Sequence, residues 1–315
     1  MRYILTGGSG TIGSRLAQRW AAGGHEVFVL SRDPASHRLP DGVTGVKWDG
    51  RTAEGWGQLA NGAYAIVNLA GESIGGKGTI PLPGTWSDER KRLIKSSRWN
   101  AGQAVVAAVE LAATKPDVVF QMSGIDYYPS TSHVMAEDDD RGENFLTEVV
   151  ADTWEPSTAA VEALGVRRII GRMAPLLNLI SGPLPASVLQ FKLFAGGRLG
   201  GGKQWFSWIH TDDAIRAIRF LVDSPDAVGP YNIASPNPVT NAEFTRILGR
   251  VMGRPTLLPV PEFALKLVLG EVSAMVLEGR PVSVGKLQGL GFEFEFPMLE
   301  TALRDILGRP LDSIA

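Results

Sequence analysis

Along the first 175 residues, short apolar runs alternate with longer stretches in which apolar positions recur every three or four residues. Residues 2–6 and the runs HEVFVLS, VTGVKW, YAIVNLAG, DVVFQMS and VRRIIGRM read as six strands. Between them, residues 12–22 read as a helix ending at Gly23-Gly24, residues 88–112 as a second and residues 145–164 as a third. Ser87 followed by Asp88 and Glu89 marks the start of the second helix, because a hydroxyl caps free N–H groups and acids suit the positive end of the dipole. Strands alternating with helices at this spacing predict a parallel, doubly wound α/β sheet. After Pro175 the rhythm breaks. LISGPLP and FAGGRLGGGKQWFSW are loop-rich, and DDAIRAIRFLV, VTNAEFTRILGRVMG, PEFALKLVLG and MLETALRDIL read as amphipathic helices. The pattern divides the chain into a first domain over 1–178, to which 205–235 return, and a smaller, mainly helical lid and C-terminal region over 179–315.

The junction between the first strand and the first helix carries TGGSGTIG. Gly8-x-Gly10-x-x-Gly13 and Gly7-x-x-Gly10-x-x-Gly13 fit it equally well. Glycines there let the chain turn off the strand, approach a pyrophosphate without a Cβ in the way, and pack the helix on the sheet. The backbone N–H groups of Thr11, Ile12 and Gly13 then face an anion at the helix start. This predicts a Rossmann-type dinucleotide site. At the tip of the second strand, where an acid would read an unphosphorylated ribose, the chain has Ser31 and Arg32, with Asp33 two residues past the tip. A serine beside an arginine suits a 2′-phosphate, which predicts NADP(H) rather than NAD.

Composition changes this picture by exclusion. The 315 residues carry a net charge of −2, so the chain as a whole has no electrostatic footprint for nucleic acid or an anionic membrane, and neither is an expected partner. There is no cysteine, which removes disulfides, thiol nucleophiles and thiolate-bound metals. The start MRYILTGG lacks the regions of a signal peptide and no apolar run reaches a membrane span, so the cytoplasm is the expected compartment. Gly71 to Lys77 and Gly197 to Lys203 imitate a phosphate loop, but Gly78 and Gln204 stand where a Mg²⁺-binding hydroxyl is needed. His210, Asp212 and Asp213 are read as the start of a helix, and no metal is expected.

The runs GGSGTIG, VLSRDP, VNLAGESI, WSDERKRLIKSSR, GGRLGGGKQWFSWIHTDDAIRAI, PVTNAEFTRIL and GFEFEFPMLETAL together resemble the atypical short-chain dehydrogenase/reductase family of sugar-nucleotide epimerase-like proteins. The resemblance implies an extended Rossmann domain and bound NADP(H). It also implies cofactor contacts at Ser31 and Arg32, at Leu69, Ala70 and Gly71 after the fourth strand, and at Arg98. Two departures stand out: the insertion GGKGTIPLPGT before WSDER, and SGIDYYPS where many members carry a GYYG-like turn.

Relatives with established chemistry use a tyrosine with a lysine four residues later, the lysine lowering the phenol's pKa. Here Tyr3, Tyr64, Tyr127, Tyr128 and Tyr231 are followed at that spacing by Gly7, Asn68, Thr131, Ser132 and Ser235. No pair exists. Ser123 at the end of the fifth strand, with Tyr127 or Tyr128 just beyond, is the remaining candidate for catalysis, since ligands of open α/β sheets bind outside that edge. Hydride transfer on a small carbonyl or hydroxyl substrate, with nucleotide sugars among the candidates, is the expected activity. The alternative is a non-catalytic NADP(H)-responsive binding protein, which the missing pair favours.

Overall fold

A computed structural model describes residues 1–36, 39–74 and 86–308. The sheet contains β1 (Arg2–Thr6), β2 (Glu26–Ser31), β3 (Val43–Lys47), β4 (Ala65–Asn68), β5 (Val118–Gly124) and β6 (Arg167–Met173), with β10 (Gly229–Ile233) joining later in the chain. All seven run parallel in the order β10-β6-β5-β4-β1-β2-β3. This is a Rossmann-type doubly wound sheet. Strands covered on both faces read as continuous apolar runs, and β4 is buried at every residue. On one face, α1 (Thr11–Ala22) sends Leu16 and Trp20 into a core with Leu5, Val29 and Phe120. On the other, α2 (Asp88–Leu111) packs Val105 and Val109 against Ile4, Ile66 and Val119. Ser87 caps α2, its Oγ accepting from the Arg90 N–H at 3.3 Å.

The expected single helix over 145–164 is not regular. A turn of α3 (Phe145–Thr147) gives way to a wide π-turn over Glu148–Trp154 and then to tight 3₁₀ turns over Glu155–Val161. Pro156 supplies the reason: it has no N–H for the carbonyl four residues back, so the winding must change around it. Glu155 sits at the change of pitch and points inward, 8% exposed.

Beyond β6 the chain builds a smaller lobe. Two short pairs, β7 (Leu176–Leu177) with β9 (Ile209–His210) and β8 (Trp205–Phe206) with β11 (Val239–Thr240), flank α4 (Leu184–Lys192). Then α5 (Thr211–Asp223) lays Ile215 and Ile218 on the main sheet before β10. The rest is helical: α6 (Asn241–Met252), α7 (Glu262–Leu269), α8 (Ala274–Leu277), α9 (Gly285–Gly289) and α10 (Leu299–Gly308). His210 caps α5, its Nδ1 accepting from the Asp212 N–H while Nε2 faces Asp305 at 3.2 Å, which places the ring proton on Nε2. Asp213 is buried and accepts from the N–H groups of Glu295 and Phe296, so HTDD and the distant GFEFEFP hold each other. No three potential metal ligands of these types converge among the described residues.

The glycine-rich segment 196–202 is laced to 258–260: Leu258 N donates to Gly196 O, Val260 N to Arg198 O and Gly200 N to Val260 O. A Cβ on Gly197 would lie 1.8 Å from the Leu258 carbonyl oxygen, so this glycine serves close packing. Trp208 is fully buried with its indole N–H on the Asn237 carbonyl. Phe206 packs edge-on to Phe244.

Candidate cofactor and active site

The chain reverses direction across the sheet between β1 and β4, and the crevice outside their C-terminal ends is where dinucleotides bind in such sheets. The glycine loop forms its floor. Gly7 has φ +64°, a left-handed conformation, and a Cβ there would meet the Leu69 carbonyl carbon at 3.0 Å. At Gly13 a Cβ would strike Gly8 Cα at 2.5 Å and Gly7 O at 2.6 Å, so the helix can approach the strand only with glycine at this position. Gly10 differs: its Cβ would meet Gly7 O alone, at 3.3 Å, and otherwise open space. Gly10 is also the N-cap of α1, whose start has no side-chain cap and no acid in its first turn. The N–H groups of Thr11, Ile12 and Gly13 therefore present a positive helix end to an open side, which fits a pyrophosphate.

The adjoining wall is set by a buried relay. Thr6 donates its hydroxyl proton to Asn68 Oδ1, Asn68 Nδ2 donates to Gln121 Oε1 at 2.8 Å, and Gln121 Nε2 donates to the Met122 carbonyl at 2.7 Å. Thr6 Oγ1 also accepts from the N–H groups of Leu69 and Ala70 at 3.1 and 3.2 Å. These two donors are thereby occupied, which leaves Leu69 and Ala70 only carbonyls and apolar side chains to offer a cofactor. Arg98 lies beneath Gly71, whose Cβ would sit 3.1 Å from the guanidinium carbon. Arg98 is 4% exposed, donates from Nη1 to the carbonyls of Glu72 and Ile94, and stacks 4.3 Å over the Trp154 ring. Its Nε has no partner. Burial lowers its pKa to about 10, so the charge persists at neutral pH. Lys91 and Lys95, on the same helix, pair with Glu271 and Glu148. The insertion GGKGTIPLPGT lies in residues 75–85, outside the described residues.

At the tip of β2, Ser31 Oγ accepts from the Asp33 N–H at 3.3 Å. Arg32 is exposed and makes no ion pair among the described residues. A phosphate would meet an uncommitted guanidinium there.

The end of β5 holds a second constellation. Ser123 is buried and its hydroxyl donates to Glu155 Oε1 at 2.7 Å. Arg172, on β6, reaches the same carboxylate through Nε at 2.8 Å and Nη2 at 3.1 Å. Burial opposes the arginine's charge, but the bonds to Glu155 outweigh it and raise the pKa above the ordinary value. From Nη1, Arg172 donates to the Tyr128 hydroxyl and to the Glu137 carbonyl, both at 2.9 Å. Tyr128 passes its own proton to Asn232 Oδ1 at 2.9 Å, and burial pushes its pKa up to about 12. Both Ser123 and Tyr128 are therefore tied into the protein. Tyr127 is half-buried, with the guanidinium carbon of Arg172 3.4 Å from its ring centre, and its hydroxyl makes no hydrogen bond among the described residues.

The sequence reading missed Thr6, Trp154, Glu155, Arg172 and Asn232. Two signals were available. An arginine inside the buried run RIIGRM must find a counter-charge, and Glu155 stands beside a proline within an otherwise helical stretch.

Residues 3–152 match the model of the NAD dependent epimerase/dehydratase family, and residues 260–306 match a domain of unknown function, DUF1731. Among curated relatives, the chloroplastic epimerase family protein SDR39U1 homolog of Arabidopsis thaliana is 36% identical over 317 residues, covering 98% of this chain and 87% of the relative. The epimerase family protein YfhF of Bacillus subtilis is 34% identical, with 98% of both chains covered. Among solved structures, human epimerase family protein SDR39U1 (isoform2) with NADPH superposes with a TM-score of 0.83 at 26% identity, over 98% of this chain and 100% of that one. With relatives sharing a third of all positions across nearly its whole length, this chain belongs to the NAD-dependent epimerase/dehydratase family, among the epimerase family proteins, and carries the DUF1731 domain toward its C-terminal end.

Proposed function

We propose that the protein is an NADP(H)-dependent oxidoreductase that moves a hydride to or from a small carbonyl or hydroxyl substrate. The observation that carries the reading is the uncapped start of α1 above an open glycine loop, with an uncommitted arginine at the tip of the neighbouring strand. Gly7, Gly10, Thr11, Ile12 and Gly13 hold the pyrophosphate, while Ser31 and Arg32 meet the 2′-phosphate. Leu69, Ala70, Gly71 and Arg98 line the wall. That human SDR39U1 was crystallised with NADPH supports the choice of cofactor. When bound, the nicotinamide supplies or accepts the hydride. Tyr127 then exchanges the proton with the substrate oxygen, its ring held by the Arg172 guanidinium. Ser123, through Glu155, fixes the end of β5. Nucleotide sugars are the first substrates to try, and the cytoplasm stays the expected compartment.

A second reading has an observation behind it. With no Tyr-x-x-x-Lys pair, and with Ser123 and Tyr128 committed internally, the site is poor in free acid/base groups. A binding protein that responds to NADP(H) without turnover would need none. Incubation with NADPH deuterated at the transferring position and a panel of sugar nucleotides and small carbonyls separates the two. Deuterium should appear in one substrate, and Tyr127→Phe should slow it by about 10²–10⁴-fold at unchanged NADPH affinity. Tight NADPH binding with no transfer to the panel or to a cell extract would favour the binding protein instead.

A further inference from the structure

A largely apolar helix of the smaller lobe is left mostly exposed. α7 reads EFALKLVL, and not one of its residues is buried. Phe263 and Leu267, one turn apart, are 73% and 83% exposed. The chain just before the helix adds exposed Leu257 and Leu258, and the end of α4 adds exposed Leu193 and Phe194. These pieces form one surface. Leu258 N donates to Gly196 O at 3.2 Å, two residues beyond Phe194, and the Arg254 guanidinium lies 4.3 Å over the Phe194 ring. A single exposed leucine needs no explanation, but a run of large apolar side chains on one surface does.

Charge says what covers it. Residues 184–203 contain Lys192, Arg198 and Lys203 and no acid, and residues 254–269 contain Arg254 and Lys266 against Glu262. That is five cations to one anion, in a chain whose net charge is −2. Lys192, Arg198, Lys203 and Arg254 are exposed, and none makes an ion pair among the described residues; Lys266 pairs with Glu262. A second copy of so basic a face would be repelled. A protein groove is not required either: Ala264, Leu265 and Leu269 are half-buried, Leu269 against the cluster of Trp86, Ile94 and Val272, so α7 is seated on the lobe by one side and leaves Phe263, Leu267 and Val268 exposed. An apolar helix rimmed by unpaired cations suits the boundary between headgroups and acyl chains of an anionic bilayer.

We propose that α7, with residues 254–258 and the end of α4, docks the protein reversibly on an anionic membrane surface. Phe263 and Leu267 enter the interface, and Lys192, Arg198, Lys203 and Arg254 face the lipid phosphates. The whole-chain charge, which argued against a membrane partner, averages this local excess away.

The test is pelleting of the full chain with phosphatidylcholine vesicles, with and without phosphatidylglycerol. The wild type should pellet with the anionic vesicles and be released as salt rises. Arg198→Gln with Arg254→Gln should weaken partition about 25-fold at low salt, at about fivefold for each cation. Phe263→Ser with Leu267→Ser should weaken it by about 100-fold, with an unchanged melting temperature because neither side chain is buried. Failure of the wild type to pellet with anionic vesicles would overturn the proposal, as would pelleting of either double variant equal to that of the wild type. A dimer in sedimentation velocity that Leu267→Ser dissolves would also overturn it, by assigning the surface to a second copy.

Discussion

Glu155→Gln removes one charge from the network behind the end of β5 and leaves its shape. The carboxylate accepts three bonds, from Ser123 Oγ at 2.7 Å and from Arg172 Nε and Nη2 at 2.8 and 3.1 Å. Both side chains are shielded, at 11% and 4% exposure. A glutamine retains one acceptor oxygen and turns an NH₂ group toward groups that are themselves donors. Breaking a buried pair by removing one partner costs about 3–5 kcal/mol, because the remaining charge is left uncompensated. Arg172 keeps its bonds to Tyr128 and the Glu137 carbonyl, so the lower end applies. About 3 kcal/mol is roughly a fifth to three fifths of the stability of a typical domain, at roughly 5–15 kcal/mol. Urea unfolding without cofactor measures it. Replacing both partners, Glu155→Leu with Arg172→Met, should cost less than the two single changes added together, since each single variant strands the other's charge. A loss below about 1 kcal/mol in Glu155→Gln, or strict additivity in the cycle, would refute the reasoning.

Three further outcomes follow from single contacts. Gly13→Ala places a Cβ 2.5 Å from Gly8 Cα, so the loop must shift, and NADPH affinity should fall at least tenfold by fluorescence titration while the variant stays folded. Thr240 and Glu243 form a reciprocal cap on α6, and Thr240→Ala should lower unfolding free energy by about 1 kcal/mol in urea. Tyr128 has a folded pKa near 12 against an ordinary 10.0, so its neutral phenol stabilises the fold fully below pH 10 and that contribution is lost between pH 10 and 12. Tyr128→Phe should show a shallower stability loss across that window than the wild type.

The sheet was legible because each strand is covered on both faces, so period and apolarity coincide at residues such as Ile4, Ile66 and Val119. Ser87 as a cap was legible because an N-cap depends only on its own neighbours. The glycine loop was readable for a related reason: it is a local backbone device. What resisted reading depends on partners far apart in sequence. Glu155, Ser123 and Arg172 meet only after β5, β6 and the irregular helix are assembled, and Pro156 changes that helix's winding. Arg98 was named by resemblance alone; its perch over Trp154, beneath Gly71, joins α2 to residues distant in sequence. Residues 196–202 read only as a loop-rich stretch, and that Gly197 lets the Leu258 backbone come close depends on a partner some sixty residues away. α7 read as an amphipathic helix, and apolar period cannot tell a core-facing side from a membrane or partner surface.

The central claim is that Arg32 selects a phosphorylated dinucleotide at this glycine loop. A guanidinium can give a phosphate two charge-assisted bonds, and Ser31 adds one neutral bond. A bond to a charged group contributes about 1.5–3 kcal/mol, or roughly 10–150-fold in affinity. Calorimetric titration of NADPH and NADH into the wild type and Arg32→Asp tests this directly. The wild type should prefer NADPH, and the preference should shrink as salt rises because Arg32 is exposed. Arg32→Asp should lose at least that factor for NADPH and little for NADH, whose ribose hydroxyls can donate to the new carboxylate. Equal NADPH affinity in the two proteins, or a wild type that prefers NADH, would contradict the account and give the ribose to Asp33.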